Sequence, residues 1–360
     1  MKFLFRVDSS ILIGTGHTMR CLTLANHLKS LGHECIFICR AHDGHLGKYI
    51  VNAGYQLYLL KSHSELKHEK FSFDWNDHAK WLGVHWSVDV KESLAITKNV
   101  KPDWLIIDHY ALDTSWETVI RPFVKNIMVI DDLEDRDHDC DILLDQTFGR
   151  KKYGYEKKVP KNCKLLCGSK YSLLREEFKN LRKTSFSNRE VAKLNNILIN
   201  LGGIDKDNFT SLVLETLKVS RLPETCTITV IMGSNAPYIP NVKKIASEMP
   251  RKTEVKVGIK DMAELMAYAD LAIGAGGSSA WERCCLGLPT IQLVIAENQN
   301  FLAESLDKAG VVKALNNIDA LPNLIETAPK WMSQISQKCR SVTDGKGVKR
   351  VVSNFEVGYV

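Results

Sequence analysis

The sequence predicts an α/β fold of two tandem domains, each a parallel sheet covered by helices. Short, continuously apolar strands alternate with amphipathic helical patterns, as expected where strands are buried on both faces. The alternation runs through the first half of the chain and then starts afresh in the second. A length of 360 residues also exceeds what one hydrophobic core usually supports.

In the first half, "FLFRVD" (3–8) reads as the opening strand, followed by a Gly-x-Gly turn. Met19, Leu22, Ala25, Leu28 and Leu31 then fall close to one helical face. "ECIFICR" (34–40) and "YQLYLL" (55–60) are the next strands. "DWLIID" (103–108) and "NIMVIDD" (126–132) follow, separated by a helix through Trp116 to Phe123, and "CDILLDQ" (140–146) closes the series. Residues 61–90 are polar and poorly periodic, which suits a long loop or lid.

The polar stretch "LRKTSFSNREVAKLNN" (181–196) marks the link, giving domains at 1–185 and 186–360. "NILINLGG" (196–203), "TITVIMG" (227–233), "EVKVG" (254–258), "DLAIGAGG" (270–277) and "PTIQLVI" (289–295) are the second set of strands, with helices such as "DMAELMAYA" (261–269) between them. Both domains are therefore Rossmann-like. Such a pair is expected to enclose a central cleft, with ligands at the carboxyl ends of the strands. After about residue 310 no motif stands out, and the last helices either finish the second domain or pack back on the first.

Composition narrows the function. The chain is 44% hydrophobic and 25% charged, with a net charge of +6 from scattered Lys and Arg. That favours an anionic small molecule over a nucleic acid. The ten cysteines form no Cys-x-x-Cys pair, and Arg6 and Asp8 interrupt any secretory leader, so buried free thiols in the cytoplasm are expected. No apolar run reaches the roughly 20 residues needed to span a bilayer.

Three glycine turns sit between a strand and a helix: "IGTGH" (13–17), "NLGGIDKDN" (200–208) and "IGAGGSSAWE" (273–282). At such junctions Gly14, Gly16, Gly202, Gly203, Gly276 and Gly277 let backbone amides approach an anion, and strand-to-helix geometry alone also calls for glycine. None fits the Walker pattern. The dinucleotide fingerprint fails because its last glycine is Met19 in the first turn and Ser279 in the third.

Ser278 and Ser279 can cap a helix or donate to phosphate oxygens. Glu282 either accepts the hydroxyls of a ribose or forms a capping box with Ser279. Asn298 and Gln299 suit sugar hydroxyl and acetamido groups, or cap a helix. His17 either takes a proton from a bound group or merely begins a helix.

Arg6 and Asp8 end the first strand, where they could orient His17, bind substrate or form a salt bridge. Arg20 lies one turn after His17 and faces phosphate or solvent. His109 and Tyr110 stand at a strand's carboxyl end, and His78 lies in the lid-like region. Asp131-Asp132 reads as a strand end with a capped turn rather than a metal pair. The His/Asp groupings at 42–45, 77–78 and 137–141 lack zinc spacing, so neither a metal nor a cofactor is expected.

"GAGGSSAWERCCLGLPTIQLVIAENQ" (274–299) resembles the donor-site segment of the GT-B superfamily branch that contains the lipid II-forming N-acetylglucosaminyltransferase. "RVDSSILIGTGHTMRCLTLA" (6–25) is more specific and resembles the UDP-2,4-diacetamido-2,4,6-trideoxy-β-L-altropyranose hydrolases of pseudaminic acid biosynthesis. "HAKWLGVHW" (78–86), "LIIDHY" (105–110), "IDDLEDRDHDCDILLDQ" (130–146) and "LGGIDKDN" (201–208) extend the likeness across both halves.

The resemblance implies a GT-B-like architecture and metal-independent, inverting hydrolysis of the UDP-sugar by water, in a pathway that supplies flagellin glycosylation. It also implies that His17 activates the water and that Glu282 holds the ribose, with the amides around 276–279 meeting the departing UDP. Two alternatives share the nucleotide motif. One is a GT-B transferase with a separate acceptor. The other is a non-catalytic UDP-sugar-binding protein, against which the intact His17 argues.

Overall fold

The computed structural model describes residues 1–62, 74–296 and 299–355. The chain divides into two compact units, the first formed by Met1–Leu173 together with the segment from Val348 onward, the second by Leu174–Gly347.

The first unit is built on seven parallel strands: β1 (Lys2–Val7), β2 (Glu34–Arg40), β3 (Gln56–Leu60), β4 (Trp104–Asp108), β5 (Asn126–Ile130), β6 (Ile142–Asp145) and β7 (Lys164–Cys167). Their order in the sheet is β3-β2-β1-β4-β5-β6-β7. Helices α1 (Gly16–Ser30), α2 (Gly47–Asn52), α3 (Trp86–Val100) and α4 (Thr114–Ile120) connect them.

Both faces of this sheet are buried. Phe3, Phe5 and Val7 of β1 pack with Leu22, Ala25 and Leu28 of α1, while Leu4 joins Leu105, Ile107 and Trp116 on the other face. Arg6 and Asp8 share the parity of Leu4, which directs them to the α3 side. Leu31, expected on the buried stripe of α1, lies just past the helix end and is 51% exposed.

The second unit has six parallel strands: β8 (Asn196–Asn200), β9 (Thr227–Met232), β10 (Thr253–Val257), β11 (Leu271–Ala275), β12 (Thr290–Leu293) and β13 (Lys313–Leu315), ordered β10-β9-β8-β11-β12-β13. Its helices are α5 (Glu176–Ser187), α6 (Phe209–Lys218), α7 (Ile239–Ser247), α8 (Met262–Tyr268), α9 (Ser278–Cys285), α10 (Asn300–Lys308), α11 (Leu321–Glu326) and α12 (Ala328–Cys339).

The units divide at 173/174, ahead of the expected 185/186. The polar stretch read as a link begins inside α5, which belongs to the second unit: its Arg182 donates to the carbonyl of Cys285 at 2.5 Å and its Ser185 to that of Leu286 at 2.6 Å. After the last helix, α13 (Gly347–Val352), Phe355 packs edge-on against Phe3 and Trp104, with ring centroids at 5.2 and 4.8 Å. Val348, Val351 and Val352 join the same core.

The expected lid at 61–90 is partly regular: residues 79–82 form a 3₁₀ turn, and α3 begins at Trp86. Residues 63–73 of that stretch lie outside the described residues. All ten cysteines are free thiols, with only Cys163 and Cys167 half-buried and the rest buried. Among the described residues, no helix is long and apolar enough to cross a membrane.

In each sheet the strand order reverses once, between β1 and β4 and between β8 and β11. The crevice outside the strand ends at such a reversal is where open α/β sheets bind ligands.

Candidate active site

In the first unit the reversal brings the start of α1 to the end of β4. Val7 of β1 pairs in register with Asp108, the last residue of β4. The chain then turns through residues 8–15 into α1. The Ser10 hydroxyl accepts from the amides of Leu12 and Ile13 at 3.1 and 2.8 Å. Gly14 takes φ +81°, a left-handed conformation that glycine adopts without strain. Gly16 opens α1 and His17 follows it.

His17 Nδ1 lies 2.6 Å from Asp108 Oδ1. Arg20, one turn along α1, forks onto the same carboxylate, with Nε to Oδ2 and Nη2 to Oδ1 both at 2.6 Å. Burial alone would raise the Asp108 carboxyl, but the charge of Arg20 and the hydrogen bonds from Arg20 and His17 outweigh it and hold the group well below the usual carboxylate range. An ionised Asp108 only accepts hydrogen bonds, so in the neutral imidazole the proton belongs on Nδ1 and the lone pair on Nε2. Nε2 makes no hydrogen bond among the described residues, and 11% of the side chain remains exposed.

Tyr110 stands edge-on to the imidazole with ring centroids 4.6 Å apart, and its hydroxyl donates to Asp132 Oδ2 at 3.1 Å. Arg20 Nη1 also reaches Asp132. Trp81 lies 5.3 Å from Tyr110 and 6.3 Å from His17, and His78 is 5.5 Å from Tyr110, all as centroid separations.

Of the first-unit candidates, His17, Arg20 and Tyr110 thus meet in one cluster. The residue missed in the sequence is Asp108, inside the quoted "LIIDHY". Its signal was a carboxylate at the end of an apolar strand beside the sheet reversal.

Arg6 and Asp8 lie elsewhere. Both are fully buried: Arg6 donates to Asp8 at 2.6 and 2.9 Å and to Asp89 of α3 at 2.6 and 3.1 Å. Asp8 also accepts from the Arg40 amide at 2.6 Å and lies 3.2 Å from His109 Nε2. They support the strand ends and present no exposed edge to a ligand.

Asp131 and Asp132 diverge, with Asp131 held by Arg136 and the Tyr155 hydroxyl, and Asp132 by Arg20 and Tyr110.

In the second unit, the turn after β8 carries Gly202 at φ +100° and Gly203, whose carbonyl presses on Gly233 closely enough to exclude any side chain there. Asp205 accepts from the amides of Phe209 and Thr210, both at 2.9 Å, and so caps α6. The neighbouring turn joins β11 to α9. Gly277 there adopts φ +99°, ψ −164°, a region open essentially to glycine alone.

Gly277 is the N-cap of α9 with no side-chain cap, so the Ser279–Glu282 capping box does not form. Ser278 and Ser279 occupy the first two helical positions, and neither hydroxyl is hydrogen-bonded among the described residues. Glu282 instead lies 3.8 Å from Arg175, and burial pushes its carboxyl up to about 7 against the pull of that guanidinium. Gln299 Oε1 accepts from the amides of Gly276 and Ile295, both at 3.3 Å, tying the turn to the next segment. Asn298 lies outside the described residues.

Known proteins resemble the chain in fold and in sequence. No protein-family profile matches the chain. MurG of Acinetobacter baumannii superposes with a TM-score of 0.68 at 15% identity, covering 99% of each chain. TcCGT1, solved in complex with UDP, gives a TM-score of 0.64 at 13% identity, again covering 99% of each chain.

The fold is GT-B. In sequence, this GT-B chain is 29% identical to the UDP-2,4-diacetamido-2,4,6-trideoxy-β-L-altropyranose hydrolase of Campylobacter jejuni, over 86% of this chain and 97% of that one. It is 28% identical to the spore coat polysaccharide biosynthesis protein SpsG of Bacillus subtilis over 54% of this chain, and to the uncharacterised protein MJ1062 of Methanocaldococcus jannaschii over 83%. The matches span 59% and 57% of those two proteins' own lengths.

Proposed function

We propose that the protein hydrolyses UDP-2,4-diacetamido-2,4,6-trideoxy-β-L-altropyranose, or a close deoxy-diacetamido analogue, to UDP and the free sugar. The observation that carries this reading is the Asp108–His17 pair, which engages Nδ1 and leaves Nε2 without a hydrogen bond among the described residues. Water is a poor nucleophile, and an imidazole fixed in this tautomer is suited to take its proton. The water oxygen bonds to the anomeric carbon as Nε2 takes the proton. The bond from that carbon to the UDP oxygen breaks on the opposite side, so the configuration inverts.

Tyr110 and Arg20 hold the base and face the sugar. The amide of Gly277 and the free hydroxyls of Ser278 and Ser279 receive the diphosphate, with the partial positive charge of the α9 N-terminus behind them. That arrangement lets UDP leave without a metal, and Glu282 accepts the ribose hydroxyls. Gly202 and Gly203 line the adjoining strand end. The named Campylobacter relative supports this substrate class, and the reading assigns the protein a role in pseudaminic acid biosynthesis in the cytoplasm.

Incubating the protein with the UDP-altropyranose derivative in EDTA, with no acceptor, tests the reading. UDP release with the product first seen as the inverted anomer is expected. Absence of release, or retention of configuration, would overturn it.

A second reading is transfer of the sugar to an acceptor. It is favoured by Ile11 and Leu12, which are 39% and 55% exposed in the turn that leads to His17. Release of UDP only after an acceptor is added would select it.

A further inference from the structure

Beneath the β11–α9 turn lies a guanidinium for which the hydrolytic scheme has no use. Arg283 sits in the second turn of α9 and is 2% exposed. Long helical side chains lean back toward the helix N-terminus. This one does so: its Nη2 donates at 2.6 Å to the carbonyl of Ala275, the residue before Gly276.

Nε and Nη1 of Arg283 have no hydrogen-bond partner among the described residues. No described carboxylate pairs with it, whereas the buried Arg6, Arg20, Arg40 and Arg136 each hold one. Glu282, its neighbour in sequence, makes its ion-pair contact with Arg175 and pulls on Arg283 only through a weaker, unpaired charge interaction. Gln292, fully buried and in register with Gly274 on the next strand, accepts nothing from it, since its Oε1 is also unpartnered.

Gly274 keeps the group in place. A Cβ on that residue would stand 2.6 Å from Arg283 Nη1 and 3.2 Å from the carbonyl oxygen of Asn200, the last residue of β8. The guanidinium therefore occupies side-chain space at the reversal between β8 and β11, under the β11–α9 turn. A cation buried without a carboxylate paired to it is costly to keep. Burial draws Arg283 down to about 10, which leaves it charged at neutral pH. An anion seated on the turn above would supply the missing charge.

We propose that Arg283 is the buried counter-charge for the diphosphate of a nucleoside-diphosphate ligand held at the β11–α9 turn. It is a positioning residue. It anchors the Ala275 carbonyl, and its charge favours negative charge on the turn, in the bound nucleotide and in the departing UDP alike. The inference rests on reading that turn as the UDP site. A purely structural arginine would anchor the carbonyl and be indifferent to the ligand's charge, and that difference can be measured.

Calorimetry with UDP and with uridine, on the wild type and on Arg283→Met, Arg283→Lys and Gly274→Ala, provides the test. Arg283→Met is expected to weaken UDP by about tenfold or more, while uridine changes by less than about twofold. Arg283→Lys should recover most of the loss. Gly274→Ala, whose Cβ displaces the guanidinium, should weaken UDP alone. If Arg283→Met does not fold, the other two variants carry the same comparison. Equal losses for UDP and uridine, or no loss for either, would overturn the proposal and leave a structural arginine. A wild type that binds no UDP would instead overturn the reading of the turn, and this inference with it.

Discussion

Replacing Asp108 with Asn tests whether the carboxylate fixes the tautomer of His17. Asp108 Oδ1 accepts a hydrogen bond from His17 Nδ1 at 2.6 Å, and the carboxylate also accepts two 2.6 Å bonds from Arg20. An amide of the same shape can keep accepting from Arg20, but it can offer N–H to Nδ1 and thereby move the ring proton to Nε2. The lone pair that takes the water's proton is then lost. In a His–carboxylate pair of this type the wrong tautomer costs about 10³–10⁴ in kcat, or about 4–5.5 kcal/mol of barrier.

Arg20 keeps Asp132 as a second partner, so its charge is not left alone. The assay is UDP release under saturating substrate, with thermal melting and UDP calorimetry run in parallel. The expected result is a variant that melts near the wild type and binds UDP normally but has lost at least about a thousandfold in kcat. A folded variant within tenfold of wild-type turnover would refute the reasoning and remove Asp108 from the chemistry.

Glu282, raised to about 7 by burial, must be ionised to accept both ribose hydroxyls. Uridine affinity should therefore fall by about tenfold from pH 8 to pH 6, with the anion present above the pKa and lost below it. Glu282→Gln should bind weakly and show a flat profile, and a flat wild-type profile would count against the role.

Asp89 lies between Arg6 and Arg40, whose charges outweigh its burial and hold it at about 2. Its stabilising contribution is complete above the unfolded value near 4 and lost as pH falls through about 2. Asp89→Asn should cost about 3–5 kcal/mol in denaturant unfolding at pH 7, and much less near pH 2. Gly277→Ala forces a side chain into the φ +99°, ψ −164° conformation. It should cost about 1–3 kcal/mol of stability, read as a lower melting temperature, together with weaker UDP binding.

Eleven of the thirteen strands among the described residues stand out in the sequence, most because burial on both faces leaves a continuous apolar run, and the partly exposed edge strands β3 and β10 through their apolar and β-branched residues. The other two, β7 ("KLLC") and β13 ("KAL"), are too short and too close to lysines to show that signature. Helix α3 is obscured for a different reason. Its core-facing Asp89 breaks the apolar stripe and makes sense only once Arg6 and Arg40, distant in sequence, converge on it.

At the site, the glycine turns and His17 were legible because strand-to-helix junctions and an imidazole have local signatures. The partnership with Asp108 spans 91 residues and exists only in the folded sheet. For Arg6 and Asp8 the sequence left several roles open, and only strand parity, which turns them toward α3, shows the buried ion pair they form. The isolation of Arg283 is invisible in sequence, since it consists of the carboxylates that are not beside it.

The most direct test compares the wild type with His17→Ala, measuring UDP binding by calorimetry and UDP release in EDTA without acceptor. The account predicts unchanged UDP affinity, acceptor-free release by the wild type, and loss of most turnover in the variant. Turnover by His17→Ala at the wild-type rate would contradict it.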